Sequence, residues 1–397
     1  MKILVYRWKA YNYADIIANL QKLGHQVDEL EYKLTNYDED AEFETLLESK
    51  IQKAKQAEEP YDFVFTVNYF ACIAEVCETN QIFYVCWTCD NPLISMYHTS
   101  VFSPYNIIFT FDKSNELEFL SMGVQNMHYL PLAVDANRMQ QLIRNTPEHK
   151  KKLYQNLISF VGSLYERNSY DKMEHVLSEY ERGYFDCLIE AQSDLYGEHL
   201  VDRLLTTDLM SSMKAKFDLH KSAHSLSDLS LIFETTVLGF KIAEVQRRRA
   251  LLNISKKNQV AIYSNSNTEE LVTVDYRGSV DYWSEMPLVF HESDINLNFT
   301  IPNIKTGLPL RMWDVLGSGG FLLSNYQPET DLLLTEGVDL VSFDCEEDLL
   351  AKIEYYKKHE SERESIAEHG LDTVMNNHTY EIRLQEMLRI VEREISQ

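Results

Sequence analysis

Hydrophobic and polar positions follow two alternating spacings along the first part of the chain. Short continuous apolar runs are typical of buried strands, whereas apolar residues three or four positions apart are typical of amphipathic helices. The apolar runs are KILVY (2–6), a strand opened by Val27, YDFVFTVN (61–68), IFYVCWT (82–88), NIIFTFD (106–112) and MHYLPLAV (127–134). Strand, helix and strand joined by short links predict a doubly wound parallel sheet.

The same pattern restarts at LISFVGSLYERN (157–168) but is soon interrupted. From 165 to about 255 the chain is rich in Leu and nearly free of Gly and Pro, which predicts an almost wholly helical insertion. Further strands are predicted at NQVAIYSN (258–265), LVTVDYRGSV (271–280), INLNFT (295–300), GGFLLSN (319–325) and VDLVSF (338–343). Helices near 346–357, 360–375 and 380–395 complete the chain.

These elements predict an α/β protein built from two doubly wound domains. We place an N-terminal domain at 1–155, a C-terminal domain at 156–378 with the helical insertion near its start, and a closing helix at 379–397 that packs back towards the N-terminal domain. Ligands of such sheets bind beyond the carboxyl ends of strands, so a central cleft faced by both domains is the expected site.

Composition and charge narrow the classes of partner. The chain has 397 residues, enough for two domains, and a formal net charge of -25. Its densest basic cluster, Arg247 to Arg249, is interpreted as a solvated helix face, so neither nucleic acid nor an anionic membrane is expected as a partner. No apolar run reaches the ~18 residues of a spanning helix. The N-terminus is interpreted as a strand rather than a signal peptide, so a cytoplasmic protein is expected; the oligomeric state stays open.

The segment 295–333 has the chemistry of a phosphate site. A strand with Asn298 leads into a polar loop and then into a helix that begins near Pro309 and stops at a glycine-rich turn. Lys305 and Arg311 supply positive charge, and Asp314 lies three positions after Arg311, on the same helix face. A cation for a diphosphate and a carboxylate for ribose suit a nucleotide-sugar site. A surface Arg–Asp pair on a glycine-capped helix explains the same residues and, taken alone, is the more frequent case.

The order of these elements resembles the C-terminal domain of GT-B-fold glycosyltransferases, specifically the spore-maturation-type (CgeB-like) group. The residues that match the helix motif of this group are Gly307, Pro309, Arg311, Trp313 and Asp314. Matching segments elsewhere in the chain are LGHQV (23–27), YVCWTCDNP (84–92), HYLPLAVD (128–135), FVGSLYERN (160–168), YYKKHESERESIAEHG (355–370) and HTYEIRL (378–384). The resemblance therefore covers the whole chain in order.

The resemblance implies a nucleotide-diphosphate sugar held mainly by the second domain. The implied donor-binding residues are Gly162, Ser163, Tyr282, Asn298, Lys305, Arg311 and Asp314. The two cations would face the diphosphate, the glycine turn would let the backbone approach it, and Tyr282 or Trp283 would stack on the base. Asp314, where related transferases often have Glu, would bind ribose. The first domain would bind the acceptor.

The stretch CWTC (86–89) has the spacing of a redox dithiol or half a zinc site. A reactive dithiol normally begins a helix, but Cys86 lies in a predicted strand, Pro92 disfavours helix before it, and no second ligand pair completes a zinc site. Both thiols are therefore interpreted as packing residues. Asp90, at the carboxyl end of the same strand, is a candidate acceptor ligand or general base, although it also suits a turn cap before Pro92.

Three further residues are candidates for the acceptor side. His98 is a second candidate base, although a lone His is more often structural or exposed. Asn68 and Tyr69 are weaker candidates at the end of the neighbouring strand.

The acidic run around Asp38 and Asp40 has the residue pattern of the metal motif of the other large glycosyltransferase fold. It opens a predicted helix, however, and is interpreted as a solvated helix start. We therefore expect neither a metal nor a cofactor.

Together these features predict a glycosyltransferase that moves a sugar from a nucleotide-diphosphate donor, a UDP-sugar, to an acceptor hydroxyl on a protein, glycan or cell-surface polymer. A nucleotide-sugar-binding or scaffold protein of the same fold that has lost turnover is the alternative. A nicotinamide-dependent oxidoreductase is disfavoured, because no glycine-rich turn follows the first strand.

Overall fold

The computed structural model describes residues 1–217 and 223–396. The strands are β1 (Lys2–Arg7), β2 (Gln26–Glu31), β3 (Phe63–Val67), β4 (Phe83–Trp87), β5 (Asn106–Thr110), β6 (Met127–Tyr129), β7 (Asn156–Val161), β8 (Val260–Tyr263), β9 (Asp275–Gly278), β10 (Ser293–Asn298), β11 (Leu322–Asn325) and β12 (Val341–Phe343). The α-helices are α1 (Tyr13–Lys22), α2 (Ala41–Gln56), α3 (Ala71–Thr79), α4 (Lys113–Ser121), α5 (Ala136–Asn145), α6 (Glu148–Lys151), α7 (Ser169–Met173), α8 (Glu179–Ser193), α9 (Val201–Leu204), α10 (Thr207–Lys216), α11 (Leu229–Ile232), α12 (Phe240–Ser255), α13 (Met286–Glu292), α14 (Leu310–Gly317), α15 (Thr330–Leu333), α16 (Glu346–Tyr356), α17 (Glu360–Asn377) and α18 (Tyr380–Ile395). A π-helical segment spans Phe233–Gly239, and short 3-10 turns lie at Ile94–Met96, Thr99–Phe102, Lys152–Tyr154 and Glu174–Val176.

The first sheet has the strand order β2-β1-β3-β4-β5-β6 and is parallel throughout. Its strands β3 and β5 are buried at every position, which explains why they are continuous apolar runs rather than alternating ones. The compact unit built on this sheet comprises Met1–Ala133, a short segment ending at Asp228, and the C-terminal segment from Tyr380.

The second sheet has the order β12-β11-β10-β7-β8-β9 and is likewise parallel. Its core combines side chains of the central strands with helices on the sheet, among them Ile158, Phe160, Ile295, Leu297, Leu251 and Ile254. The two doubly wound sheets predicted from the apolar runs are thus confirmed.

The second compact unit begins at Val134, whereas the sequence placed a domain boundary near 155. Helix α5 belongs to this second unit because it packs on α14. A Cβ on Gly317 would lie only 2.9 Å from a methyl of Val134, and Gln140 donates to the Gly317 carbonyl at 3.1 Å. The predicted limits at 155 and 378 remain predictions of where independently folding domains end.

The helical insertion forms its own apolar cluster beside the second sheet. Its buried members include Phe185, Leu188, Met213, Phe233, Leu238 and Ile242. Part of the predicted helical stretch, residues 218–222, lies outside the described residues. The strand predicted at 271–280 is reduced to the edge strand β9, and Val272, which lies before β9, is 82% exposed.

Each sheet has one point, its switch point, at which the chain reverses its direction of winding. In the first sheet this point lies between β1 and β3, and in the second it lies between β7 and β10. Ligands of open parallel sheets bind in the crevice outside the carboxyl ends of the strands at such a point. The Arg247 site described below lies at the second of these positions.

Candidate functional site

Arg247, on α12, reaches the switch point of the second sheet. Its guanidinium donates to the Ser163 carbonyl at 2.6 Å and to the Phe299 carbonyl, which follow β7 and β10 respectively. The residue is only 9% exposed, and its guanidinium lies 4.8 Å from the centre of the Tyr165 ring. Interpreting this residue as part of a solvated helix face is therefore wrong.

No carboxylate of the described residues forms an ion pair with Arg247. Its neighbours on the same helix differ: Arg248 pairs with Glu244 at 3.1 Å and Arg249 with Asp194 at 2.6 Å. Burial lowers the pKa of Arg247, Tyr165 opposes this, and the nearby Arg311 guanidinium lowers it further. A buried cation normally has a paired anion. Within the part of the chain that the structure describes, the Arg247 charge is met by two backbone carbonyls and the Tyr165 ring but by no carboxylate.

Arg311 and Asp314 contact each other on α14, as their spacing predicted. The Arg311 guanidinium lies 3.2 Å from one carboxylate oxygen of Asp314, and the Tyr282 hydroxyl donates to the other at 3.1 Å. Asp314 is only 2% exposed, so it is not part of a surface pair. Burial raises the pKa of Asp314, whereas Arg311, the Tyr282 hydrogen bond and Arg138 oppose the rise.

The loop between β9 and α13 carries two aromatic rings beside this carboxylate. The guanidinium of Arg138 lies 4.3 Å from the centre of the Trp283 ring and 5.8 Å from that of Tyr282. Asp281 fixes the loop by accepting from the Trp283 amide at 3.0 Å and the Ser284 amide at 2.8 Å. Arg138 comes from α5, a helix that the sequence did not predict.

The other predicted donor residues differ in their placement. Gly162 and Ser163 follow β7 directly, and the Gly162 amide donates to the Tyr263 carbonyl at 3.1 Å, so both lie at the switch point. Lys305 instead pairs with Glu234 of the π-helical segment at 3.0 Å. Asn298 is buried and donates to Thr300 at 3.0 Å and Ser324 at 2.9 Å. The structure thus places Gly162 and Ser163 near Arg247, and Tyr282 and Arg311 near Asp314. The donor-binding roles of all seven residues stay predictions.

In the first unit, Asn68 holds Asp90. Asn68 directly follows β3 and has a left-handed backbone, φ 65°. Its side-chain amide donates to the Asp90 carboxylate at 2.7 Å. The Asn68 oxygen accepts from the Cys89 amide at 2.8 Å. Asp90 is exposed, so an orienting contact and solvent access meet at the carboxyl ends of β3 and β4.

His98 and Tyr69 have the surroundings of structural residues. His98 is 3% exposed, its Nδ1 contacts the Ser100 hydroxyl at 2.8 Å, and that hydroxyl contacts Tyr69 at 2.7 Å. The His98 ring also lies 5.6 Å from the ring of His224. These contacts favour a role in holding the segment before Asp228 against the first unit, and the predicted role of His98 as a base stays a prediction.

The cysteines and acidic motifs behave as packing and capping groups. Cys86 lies inside β4, is fully buried, and burial raises the pKa of its thiol. Asp40 caps α2 by accepting from the Phe43 amide at 3.2 Å, as expected for a helix start. Within residues 1–217 and 223–396, no three His, Cys, Asp or Glu side chains gather so as to hold a metal ion.

The two parallel sheets with flanking helices define the class of fold: they are the two Rossmann-like domains of GT-B glycosyltransferases. Residues 246–389 match a family model described as glycosyl transferase-like. This match includes Arg247, the loop at Tyr282 and all of α14.

Solved structures with the same fold cover nearly the whole chain. A glycosyltransferase from Rickettsia africae is 11% identical, with a TM-score of 0.60 over 99% of this chain and 98% of its own. Anabaena HepE in complex with UDP and glucose is 10% identical, with a TM-score of 0.53 over 99% and 100%. Sucrose-phosphate synthase from Thermosynechococcus elongatus is 9% identical, with a TM-score of 0.55 over 100% and 99%.

A search of curated proteins found no significant match. Among the helices of the described residues, none combines the length and the apolar character needed to cross a membrane.

Proposed function

We propose that the protein is a glycosyltransferase that moves a sugar from a nucleotide-diphosphate donor to an acceptor hydroxyl. The observation that carries the proposal is the buried Arg247 guanidinium at the β7/β10 switch point, which pairs with no carboxylate among residues 1–217 and 223–396. A diphosphate is the anion that such a position in a GT-B domain would accept, since two guanidiniums, Arg247 and Arg311, are close enough to influence each other.

The surrounding side chains suit the remainder of a nucleotide. Asp314 would accept from ribose hydroxyls, exchanging its contact with Tyr282 or Arg311 for the ligand. Tyr282 and Trp283 offer rings for the base, with Arg138 behind them. We favour uridine because Anabaena HepE, which shares the fold, is seen with UDP and with UDP-glucose.

The chemistry follows from where charge develops. As the bond between the anomeric carbon and the diphosphate oxygen breaks, negative charge grows on the diphosphate. Arg247 and Arg311 would stabilise that charge without a metal. The acceptor oxygen forms the new bond to the anomeric carbon, and Asp90 would take its proton, with Asn68 fixing the carboxylate.

An inactive nucleotide-sugar-binding protein of the same fold is the second candidate. It is favoured by Lys305, whose ammonium is engaged by Glu234 rather than standing free for a leaving group. Such a protein would bind the donor without releasing nucleotide.

The test is a screen of UDP-, GDP-, dTDP- and ADP-sugars with the full chain, with and without EDTA. Nucleotide release is measured beside the thermal unfolding midpoint. We expect the sugars of one nucleotide class to raise the unfolding midpoint and to be cleaved with release of the nucleotide. EDTA should change neither result. A raised midpoint without release, even with oligosaccharide, peptide and lipid acceptors, would favour the inactive binder. No change with any nucleotide would contradict both.

We further propose that the enzyme acts in the cytoplasm on a protein, glycan or cell-surface acceptor.

A further inference from the structure

The first unit contains an open groove of about 730 Å³ at the carboxyl ends of β1 and β2, next to the switch point between β1 and β3. Trp8, the residue after β1, donates from its indole nitrogen to the Val67 carbonyl, the last of β3, at 2.7 Å. The next residue, Asn68, holds the exposed carboxylate of Asp90. Trp8, which lines the groove, is thus linked through Val67 and Asn68 to the carboxylate proposed to activate an acceptor hydroxyl. Its volume is in the ordinary range of small-molecule sites.

Aromatic rings build the wall of this groove. Phe70 is at their centre, with the Tyr37 ring at 5.4 Å and the Trp8 ring at 6.1 Å between ring centres, both edge-on. Tyr37 is 55% exposed although it packs on this cluster. An aromatic face that is fixed by edge-on neighbours and still open to solvent offers a rigid flat surface, with little entropy lost when a ring lies on it.

The groove is also positively charged in a chain whose net charge is -25. Three cationic side chains and one carboxylate line it: Arg7, Lys9, Lys33 and Glu31. Arg7 is paired with Glu29 at 2.7 Å and lies 3.8 Å from Glu31. Lys9 and Lys33 are exposed and take part in no ion pair or hydrogen bond within the described residues. Asp40, nearby in sequence, is engaged as the cap of α2.

We propose that this groove binds the acceptor and that the acceptor is an anionic saccharide, a sugar chain with a carboxylate or phosphate group. The inference rests on the proposed transferase function, which supplies the sugar to be attached. Aromatic rings pack on the apolar faces of pyranose rings, and Lys9 and Lys33 neutralise the acidic group. Asp90, held by Asn68, then receives the proton of the hydroxyl to be glycosylated.

The experiment measures dissociation constants by calorimetry for the full chain. The acidic probes are trigalacturonate and a hyaluronan tetrasaccharide, and the neutral probe is maltotriose. The test variant is Lys9→Ser/Lys33→Ser. The matched control is Lys53→Ser/Lys257→Ser, which removes two exposed lysines that lie outside the groove and pair with no described carboxylate, so the change in net charge is the same. Tyr37→Ser tests the aromatic wall, and UDP is titrated into every variant.

We expect at least one acidic probe to bind about tenfold or more tightly than maltotriose. The groove variant should weaken that binding about fivefold to tenfold, as two exposed ion pairs of up to ~1 kcal/mol each would, and the control should not. Tyr37→Ser should weaken acidic and neutral probes alike. Equal binding of acidic and neutral probes, no binding of either, or equal loss in both lysine variants would overturn the inference. UDP should bind all variants equally; its failure to bind the wild-type chain would overturn the proposed function instead.

Discussion

Asp314 is the residue at which stability and binding are expected to oppose each other. Its carboxylate is buried, and burial raises the pKa of Asp314 even though Arg311 and Tyr282 both contact it. The folded state therefore favours the protonated form more than the unfolded state does. Keeping this carboxylate ionised in the folded protein therefore costs free energy, as is common for residues kept for function rather than for stability.

We predict that Asp314→Asn raises the thermal midpoint of the free protein by about 2 °C near neutral pH and weakens UDP binding. Because the folded pKa is raised, both states hold the proton at low pH and the cost of ionisation is absent there. The advantage of the Asn variant should therefore grow as the pH rises from about 4 to about 8. Midpoints measured across this range with and without UDP check it. A variant that is less stable at neutral pH and binds UDP like the wild type would contradict the assignment.

Asp90 is predicted to act on the reaction and not on donor binding. Asp90→Asn keeps the size of the side chain but removes its capacity to accept a proton, so the turnover rate should fall about 10²- to 10⁴-fold. The dissociation constant for UDP should stay unchanged. As the control, Asp372→Asn alters an exposed carboxylate on α17 in the second unit and should leave the rate unaltered. An Asp90 variant with the wild-type rate would assign the carboxylate to the turn alone.

At the scale of elements, two helical glycines make opposite predictions. Gly370 in α17 lies against the chain at Asp339, where a Cβ would come 2.4 Å from a backbone oxygen and 2.9 Å from a Leu316 methyl. Gly183 in α8 has open space around it. Gly370→Ala should therefore destabilise the protein by about 1–3 kcal/mol through overpacking. Gly183→Ala should stabilise it by about 0.5–1 kcal/mol through helix propensity alone. Urea denaturation of both variants is the measurement, and equal effects would show that α17 does not pack this closely.

The buried strands were predictable because continuous apolar runs carry their own signature. Strands β3, β4 and β5 have no polar alternation to obscure them, and short links leave few alternative connections. The edge strand β9 gave no such signal. Helices α5 and α13 were not predicted, although Ala136, Met139 and Ile143 of α5 are buried at helical spacing. The missed helix α5 matters most for the candidate site, because it places Arg138 beside Trp283.

Arg247 had a signal in the sequence that the charge cluster obscured. Three successive residues on a helix span about 200° around the axis, so three consecutive arginines point in different directions. The buried face of α12 runs through Ala243, Arg247, Ala250, Leu251 and Ile254 at helical spacing, and Arg247 lies in the middle of it. What periodicity could not show is that, in the described part of the chain, no carboxylate pairs with the buried charge. That depends on which strands end beside it.

For the whole molecule, one rule of topology accounts for both candidate sites. Each sheet reverses its winding once, and the structure places positive charge at or next to each reversal: Arg247 beside β7 and β10, Lys9 after β1, and Lys33 after the neighbouring β2. In a chain with a net charge of -25, cations that pair with no carboxylate of the described residues at these two positions indicate anionic ligands rather than general surface composition. A nucleotide diphosphate and an acidic sugar are the two ligands that a transferase of this kind would use.

The measurement that tests the central claim most directly compares UDP with uridine in the wild type, Arg247→Gln and Arg248→Gln. Arg248 is the matched control, because it lies next on the same helix but pairs with Glu244 at 3.1 Å. We predict that the wild type binds UDP far more tightly than uridine. Arg247→Gln should weaken UDP about 10- to 100-fold and leave uridine unchanged, since a hydrogen bond to a charged group contributes about 1.5–3 kcal/mol. Arg248→Gln should stay within about twofold of the wild type for both. Equal affinity for UDP and uridine, or equal losses in the two variants, would contradict a diphosphate site at Arg247.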